Sequence, residues 1–180
     1  MQREVSAALV EHLKRIIHNI PAGDQVTTDA RIGRLLTPQA AQNVIAMIKE
    51  SLDAGAELLM GDLQAEGTYV QPHVVLGAKP GQRLWELESF GPGQFASTRV
   101  WRVRLELTYL QVFTISIVDT VDEAVELANA TQYSLTSSLW TNDVTQAMEV
   151  SERIRSGQVI VNGPTYMIEL KAKPQGMGCV

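Results

Sequence analysis

Between Trp85 and Pro92 the sequence reads Trp-Glu-Leu-Glu-Ser-Phe-Gly-Pro. Glu88 stands two residues ahead of Phe90, so a carboxylate and an aromatic ring are neighbours in the sequence, followed by Gly91-Pro92. An ionised carboxylate accepts hydrogen bonds at two oxygens, and a ring offers a flat apolar face. From these residues alone Glu88 also reads as a solvated loop carboxylate and Phe90 as a core ring. Other chemistry-bearing residues are poorly placed. Cys179 is the lone cysteine, with no histidine or cation beside it to lower its pKa, and reads as an incidental thiol. His12 and His18 do not share a helix face, and His73 stands alone in an extended segment, so no metal site is expected. Asp122, Glu123 and Glu126 lie at an exposed helix start, where the helix dipole accounts for them. No Gly-x-Ser-x-Gly elbow is present to support a hydrolase. Trp140 reads as a strand-end core or interface residue.

The chain that must position these groups has 180 residues, 45% hydrophobic and 19% charged, enough for one domain with a real core. Its net charge of -5 argues against nucleic acid and anionic membrane, which call for a clustered positive field. Arg99, Trp101, Arg102 and Arg104 make a short basic-aromatic patch, but the acidic chain around them speaks against a nucleic-acid contact. One cysteine rules out an internal disulfide framework and fits a reducing compartment. No signal peptide or long apolar span is evident, so a cytoplasmic protein is expected.

Val5, Leu9, Leu13, Ile16, Ile17 and Ile20 form one helical stripe ended by Pro21 and Gly23. Thr37-Pro38 marks the start of a second helix, with Ala41, Val44, Ile45, Ile48 and Leu52 inward and Gly55 at its stop. Ala56–Met60, Tyr69-Val70 and His73–Leu76 read as strands, with Pro72 marking irregular pairing. Beyond residue 111 strands and helices alternate. Val112–Val118, Ser134–Trp140 and Gln158–Val161 are the strands, and helices begin after Thr120, with Glu123 completing a capping-box signature, and over Val144–Ile154. Short connections through helices call for parallel strands and right-handed crossovers. The fold class expected is α/β, an open, mostly parallel sheet with helices on both faces.

These segments, in this order, resemble the C-terminal, catalytic-domain part of the aldehyde dehydrogenase superfamily. Asp24–Leu36 is similar to its Gly-Asp…Ile-Gly-Pro-Leu loop, with Arg34 where proline is usual. Asp53-Ala-Gly-Ala…Gly61 is similar to its helix-to-strand turn, and Gly67-Thr-Tyr-Val-Gln-Pro72 to its Gly-x-Tyr-x-x-Pro-Thr strand. Glu88-Ser-Phe-Gly-Pro92 matches Glu-x-Phe-Gly-Pro. Asp122-Glu-Ala…Asn129 and Tyr133-Ser-Leu135 match the family's next helix and turn, and Gly157–Pro164 looks like the strand entering its C-terminal region. Within the superfamily the likeness leans to salicylaldehyde and vanillin dehydrogenase members. The resemblance implies oxidation of an aldehyde to an acid with NAD or NADP in a full-length parent. It further implies that Glu88 accepts hydrogen bonds from the nicotinamide-side ribose hydroxyls and that Phe90 packs beside that ribose and the nicotinamide. The family places its nucleophilic cysteine, water-activating glutamate and dinucleotide-binding half upstream of where this chain begins. A catalytically incomplete fragment that binds no cofactor tightly is therefore expected.

Residues 93–111 do not belong to that pattern. Their removal restores Phe-Gly-Pro-Val-Phe-Thr-Ile, and Gly93-Gln94 and Leu110-Gln111-Val112 can encode splice donor and acceptor sequences. Residues 1–180 thus read as a partial catalytic domain interrupted at 93–111, by a translated intron or by a genuine insertion. The tail Leu170–Val180 matches the family's Ser-Gly-x-Gly-Arg loop and oligomer-contact tail only vaguely, which counts against an oligomer built as in the family. Partners expected are the parent's aldehyde substrate and, through an unpaired sheet edge, a homo-oligomer mate or a full-length homologue. The alternative reading is a non-catalytic α/β module that pairs with another chain.

Overall fold

The computed structural model describes residues 2–19, 33–87 and 112–164. Two compact units divide the chain, Met1–Asp119 and Thr120–Val180. Both are α/β in character, as expected.

In the first unit, helices α1 (Arg3–His18) and α2 (Pro38–Asp53) accompany the strands β1 (Glu57–Met60), β2 (Ala65–Glu66), β3 (Tyr69–Val70), β4 (His73–Leu76) and β5 (Val112–Ile115), with the single turn α3 (Arg83–Glu86) between β4 and β5. α2 begins where its sequence says: Thr37 Oγ1 accepts from the Ala40 amide at 3.1 Å, and Pro38 sits where no amide is needed. It ends in a Schellman arrangement, the Ala56 amide donating to Ser51 and the Gly55 amide to Leu52, with Gly55 at φ +96.

β1, β4 and β5 form one sheet in that order, β4–β5 parallel and β1–β4 antiparallel. Pairing is thus mixed, because the connection from β1 to β4 carries no helix to make a crossover. It folds instead as the β2–β3 hairpin, where Gly67 at φ +63 opens a two-residue turn. Successive residues of β4 serve opposite faces. Val75, with Val70 and Val112, packs on Val44, Ile45, Met47 and Ile48 of α2. Val74, with Ile115, packs on Ile17 of α1. Helices therefore cover both faces. The α1 stripe is only half used: Ile17 is buried, but Val5 and Leu9 are exposed. The strand expected to run to Val118 stops at Ile115; Val118 instead bridges Gln2 in parallel, and Arg3 pairs with Asp119.

The second unit holds α4 (Val121–Asn129), β6 (Thr136–Leu139), α5 (Val144–Arg153) and β7 (Gln158–Val161). β6 and β7 pair in parallel around α5, the crossover that the alternating pattern calls for. Thr120 caps α4 by accepting from the Glu123 amide at 3.1 Å, and Asp143 caps α5 by accepting from the Gln146 amide at 3.0 Å. Asn129 binds α4 to the end of α5, its side chain donating to the Arg153 carbonyl and accepting from the Arg155 amide. After β7, Asn162 takes a left-handed conformation at φ 53. Its side chain donates to the Thr141 carbonyl and accepts from the Thr141 amide, which fixes the Asn162-Gly-Pro turn to the end of β6.

Candidate functional site

Glu88 and Phe90 lie outside the described residues, as do Cys179 and the segment 93–111. The chain that delivers Glu88 is described as far as Leu87, and it is firmly held. Leu84 is buried in the core beside α2, and Trp85 packs against the same cluster. Arg83 pairs with Glu50 of α2 at 2.6 Å. Glu86 accepts from the Gly81 amide at 2.8 Å, and Gln82 accepts from the Lys79 amide at 3.0 Å. α3 gives way at Leu87 to extended backbone, φ -112 and ψ 136. The short α3 turn, too brief to show helical periodicity in the sequence, is thus the support from which the Glu88 segment departs.

The remaining candidates are dispersed. His12 lies on exposed α1, where its Nδ1 accepts from Arg15 at 2.9 Å. Asp122 pairs with Arg153 at 2.6 Å, which gives it a structural role beyond a favourable dipole contact. Trp140 is 66% exposed just beyond β6, so the core reading for it is overturned: the strand ends before it at Leu139. Among the described residues no three His, Cys, Asp or Glu side chains gather as a metal would require.

His73 is the group that the sequence undervalued. Its side chain is fully buried in β4, and both ring nitrogens are engaged. Nδ1–H donates to the Gln71 carbonyl at 2.6 Å, since a carbonyl only accepts, and Nε2 accepts from the Leu63 amide at 3.1 Å. That fixes the neutral Nδ1–H tautomer. Burial holds the His73 pKa below the ordinary histidine value, with the Gln71 carbonyl and Asp62 pulling the other way. Nearby, burial pushes the Tyr69 phenol up, Asp62 and Glu66 add to the shift, and Arg34 opposes it. The available signal was a histidine inside an otherwise apolar strand, where both nitrogens must find partners.

The sequence pattern of the aldehyde dehydrogenase family matches residues 1–94 and 106–177. A succinate-semialdehyde dehydrogenase (NADP+) of Deinococcus radiodurans is 34% identical over 145 residues, 79% of this chain and 26% of that protein. A vanillin dehydrogenase of Pseudomonas sp. HR199 is 29% identical over 161 residues, 89% of this chain and 29% of that one. In fold, the chain superposes on a crystal structure of a salicylaldehyde dehydrogenase from Pseudomonas putida G7 with a TM-score of 0.78 at 22% identity, covering 95% of this chain and 31% of the other. The chain spans between a quarter and a third of the length of these relatives. No helix among the described residues is long and apolar enough to cross a membrane. With the family pattern met on both sides of residues 95–105, and with the same fold in the solved relatives, this chain belongs to the aldehyde dehydrogenase family.

Proposed function

We propose that these residues form part of the catalytic domain of an NAD(P)-dependent aldehyde dehydrogenase, in which Glu88 and Phe90 meet the nicotinamide end of the cofactor. Glu88 accepts hydrogen bonds from the ribose hydroxyls, and Phe90 lays its ring beside the same ribose. The bound cofactor would supply the hydride acceptor for aldehyde oxidation. The observation that carries this reading is Glu88-Ser-Phe-Gly-Pro92 within the matched block 1–94, delivered by an α3 turn that Arg83–Glu50 pins to α2. A carboxylate suits a diol because it offers two acceptor oxygens to two hydroxyl donors. Which of the two cofactors is used, and which aldehyde, is open to the rest of the enzyme; the relatives are named for succinate semialdehyde and for vanillin.

By themselves these 180 residues do not turn over aldehyde. Oxidation in this family starts from a thiolate that attacks the carbonyl carbon, and the sequence holds one thiol, Cys179, in a stretch without a cationic neighbour to activate it. The reading of residues 93–111 as an interruption of the domain is supported by the break in the family match at 95–105, although 93–94 and 106–111 fall within the matched blocks. The purified chain assayed with aromatic and aliphatic aldehydes and NAD or NADP is expected to give no rise in reduced-cofactor absorbance above buffer. Turnover that is abolished by Glu88→Gln would overturn the inactivity and show a working enzyme.

A further inference from the structure

The connection from β1 to β2 is held by three features that all meet at His73. Gly61 stands so close that a Cβ there would run into the imidazole, within 2.6 Å of Cγ and 2.7 Å of Nε2. Leu63 has φ 57, a left-handed conformation that a leucine keeps only where its surroundings offset the strain. Two bonds impose it. The Leu63 amide donates to His73 Nε2 at 3.1 Å, and the next amide, Gln64, donates to Asp62 Oδ1 at 3.1 Å. Asp62 Oδ1 also lies 4.0 Å from His73 Nε2.

We propose that His73 is a proton-operated latch on the Gly61–Gln64 connection, closed when Nε2 accepts the Leu63 amide and open when Nε2 carries a proton and turns to the Asp62 carboxylate. The chemistry leaves no intermediate arrangement. A protonated imidazole has two donors and no acceptor, so the Leu63 amide loses its partner the moment a proton arrives from solvent at Nε2. The carboxylate within reach is the one that receives the Gln64 amide, so the move that breaks the Leu63 bond also disturbs the Gln64 bond beside it. Leu63 then relaxes to ordinary backbone. The charged group that acts on the ring is Asp62, which also acts, with Glu66 and Arg34, on the Tyr69 phenol. From α2 the sheet receives apolar side chains, Val44, Ile45, Met47 and Ile48, with the buried Ser51. The ring ionises below the ordinary histidine value in the folded chain, so the unfolded chain takes the proton first. The closed connection therefore contributes its full stability above a pH of about 6.5 and loses it as pH falls toward the folded value.

Amide exchange and imidazole titration followed by NMR on the whole isotope-labelled chain, from neutral pH into the acid range, test the latch. Protection at Leu63 and Gln64 is expected to fall by at least about tenfold with the midpoint of His73, while Val74 and Val75 stay protected. Asp62→Asn, which removes the carboxylate that pairs with the protonated ring, is expected to move that midpoint to lower pH. The latch is refuted if His73 gains its proton with Leu63 still protected, or never gains it. It is equally refuted if Leu63, Val74 and Val75 lose protection together, or if Asp62→Asn leaves the midpoint in place.

Discussion

The two residues proposed to carry chemistry in this chain differ in how far the sequence reveals them. Glu88 is legible because its neighbours Phe90, Gly91 and Pro92 form a recognisable string, although its side-chain geometry lies outside the described residues. His73 is not legible as more than an isolated histidine. Its importance comes from the Gln71 carbonyl two residues away together with the Leu63 amide, which the hairpin fold brings to its ring. Gly61 belongs to the same cluster, for two reasons: its φ of +119 disfavours any L side chain, and the space a Cβ would take is filled by the imidazole. Gly61→Ala is accordingly expected to lower stability by about 2 kcal/mol or more, read as a lower urea midpoint at unchanged slope. A variant as stable as the parent would mean that the His73 ring is not packed against this turn.

At the scale of elements, the parts with strong local signals were readable and the parts fixed by long-range contacts were not. Thr37-Pro38, Gly55 and Thr120 mark helix ends through side-chain and backbone bonds made within a few residues, and the structure has them there. β2 escaped because Ala65-Glu66 has no β-branched or aromatic residue to mark a strand, as Tyr69-Val70 of β3 has, and α3 because a single helical turn is too short to carry a period. The first strand pairing came out antiparallel because the chain between β1 and β4 spends its length on a hairpin, a choice that hydrophobic alternation alone does not record. Residues 93–111 are the one stretch proposed here to be foreign to the domain. Deleting them to join Pro92 to Val112 is expected to leave far-UV dichroism per residue in place and the thermal midpoint at least as high as before, because β5 keeps its parallel partner β4. An insoluble or unfolded product would show that these residues are needed by the fold.

For the molecule as a whole, family membership and α/β architecture are established, and the proposed site is one edge of a larger one. The 145 residues that align with a succinate-semialdehyde dehydrogenase cover 26% of it, and in this chain only Glu88 and Phe90 are proposed to touch cofactor. A few hydrogen-bonded and stacking contacts, each contributing on the order of 1 kcal/mol, barely exceed an association cost of roughly 4 kcal/mol or more. A millimolar Kd needs a net gain of about 4 kcal/mol, so affinity should be weaker than millimolar. An NMR titration of the isolated chain with NAD measures this most directly. Small shifts are expected at the amides of Leu87 and Val112 and through the Glu88–Pro92 stretch, still rising at about millimolar NAD and absent in Glu88→Gln. Saturation at micromolar NAD, or shifts that survive Glu88→Gln unchanged, would contradict the assignment of Glu88 as the ribose-binding carboxylate.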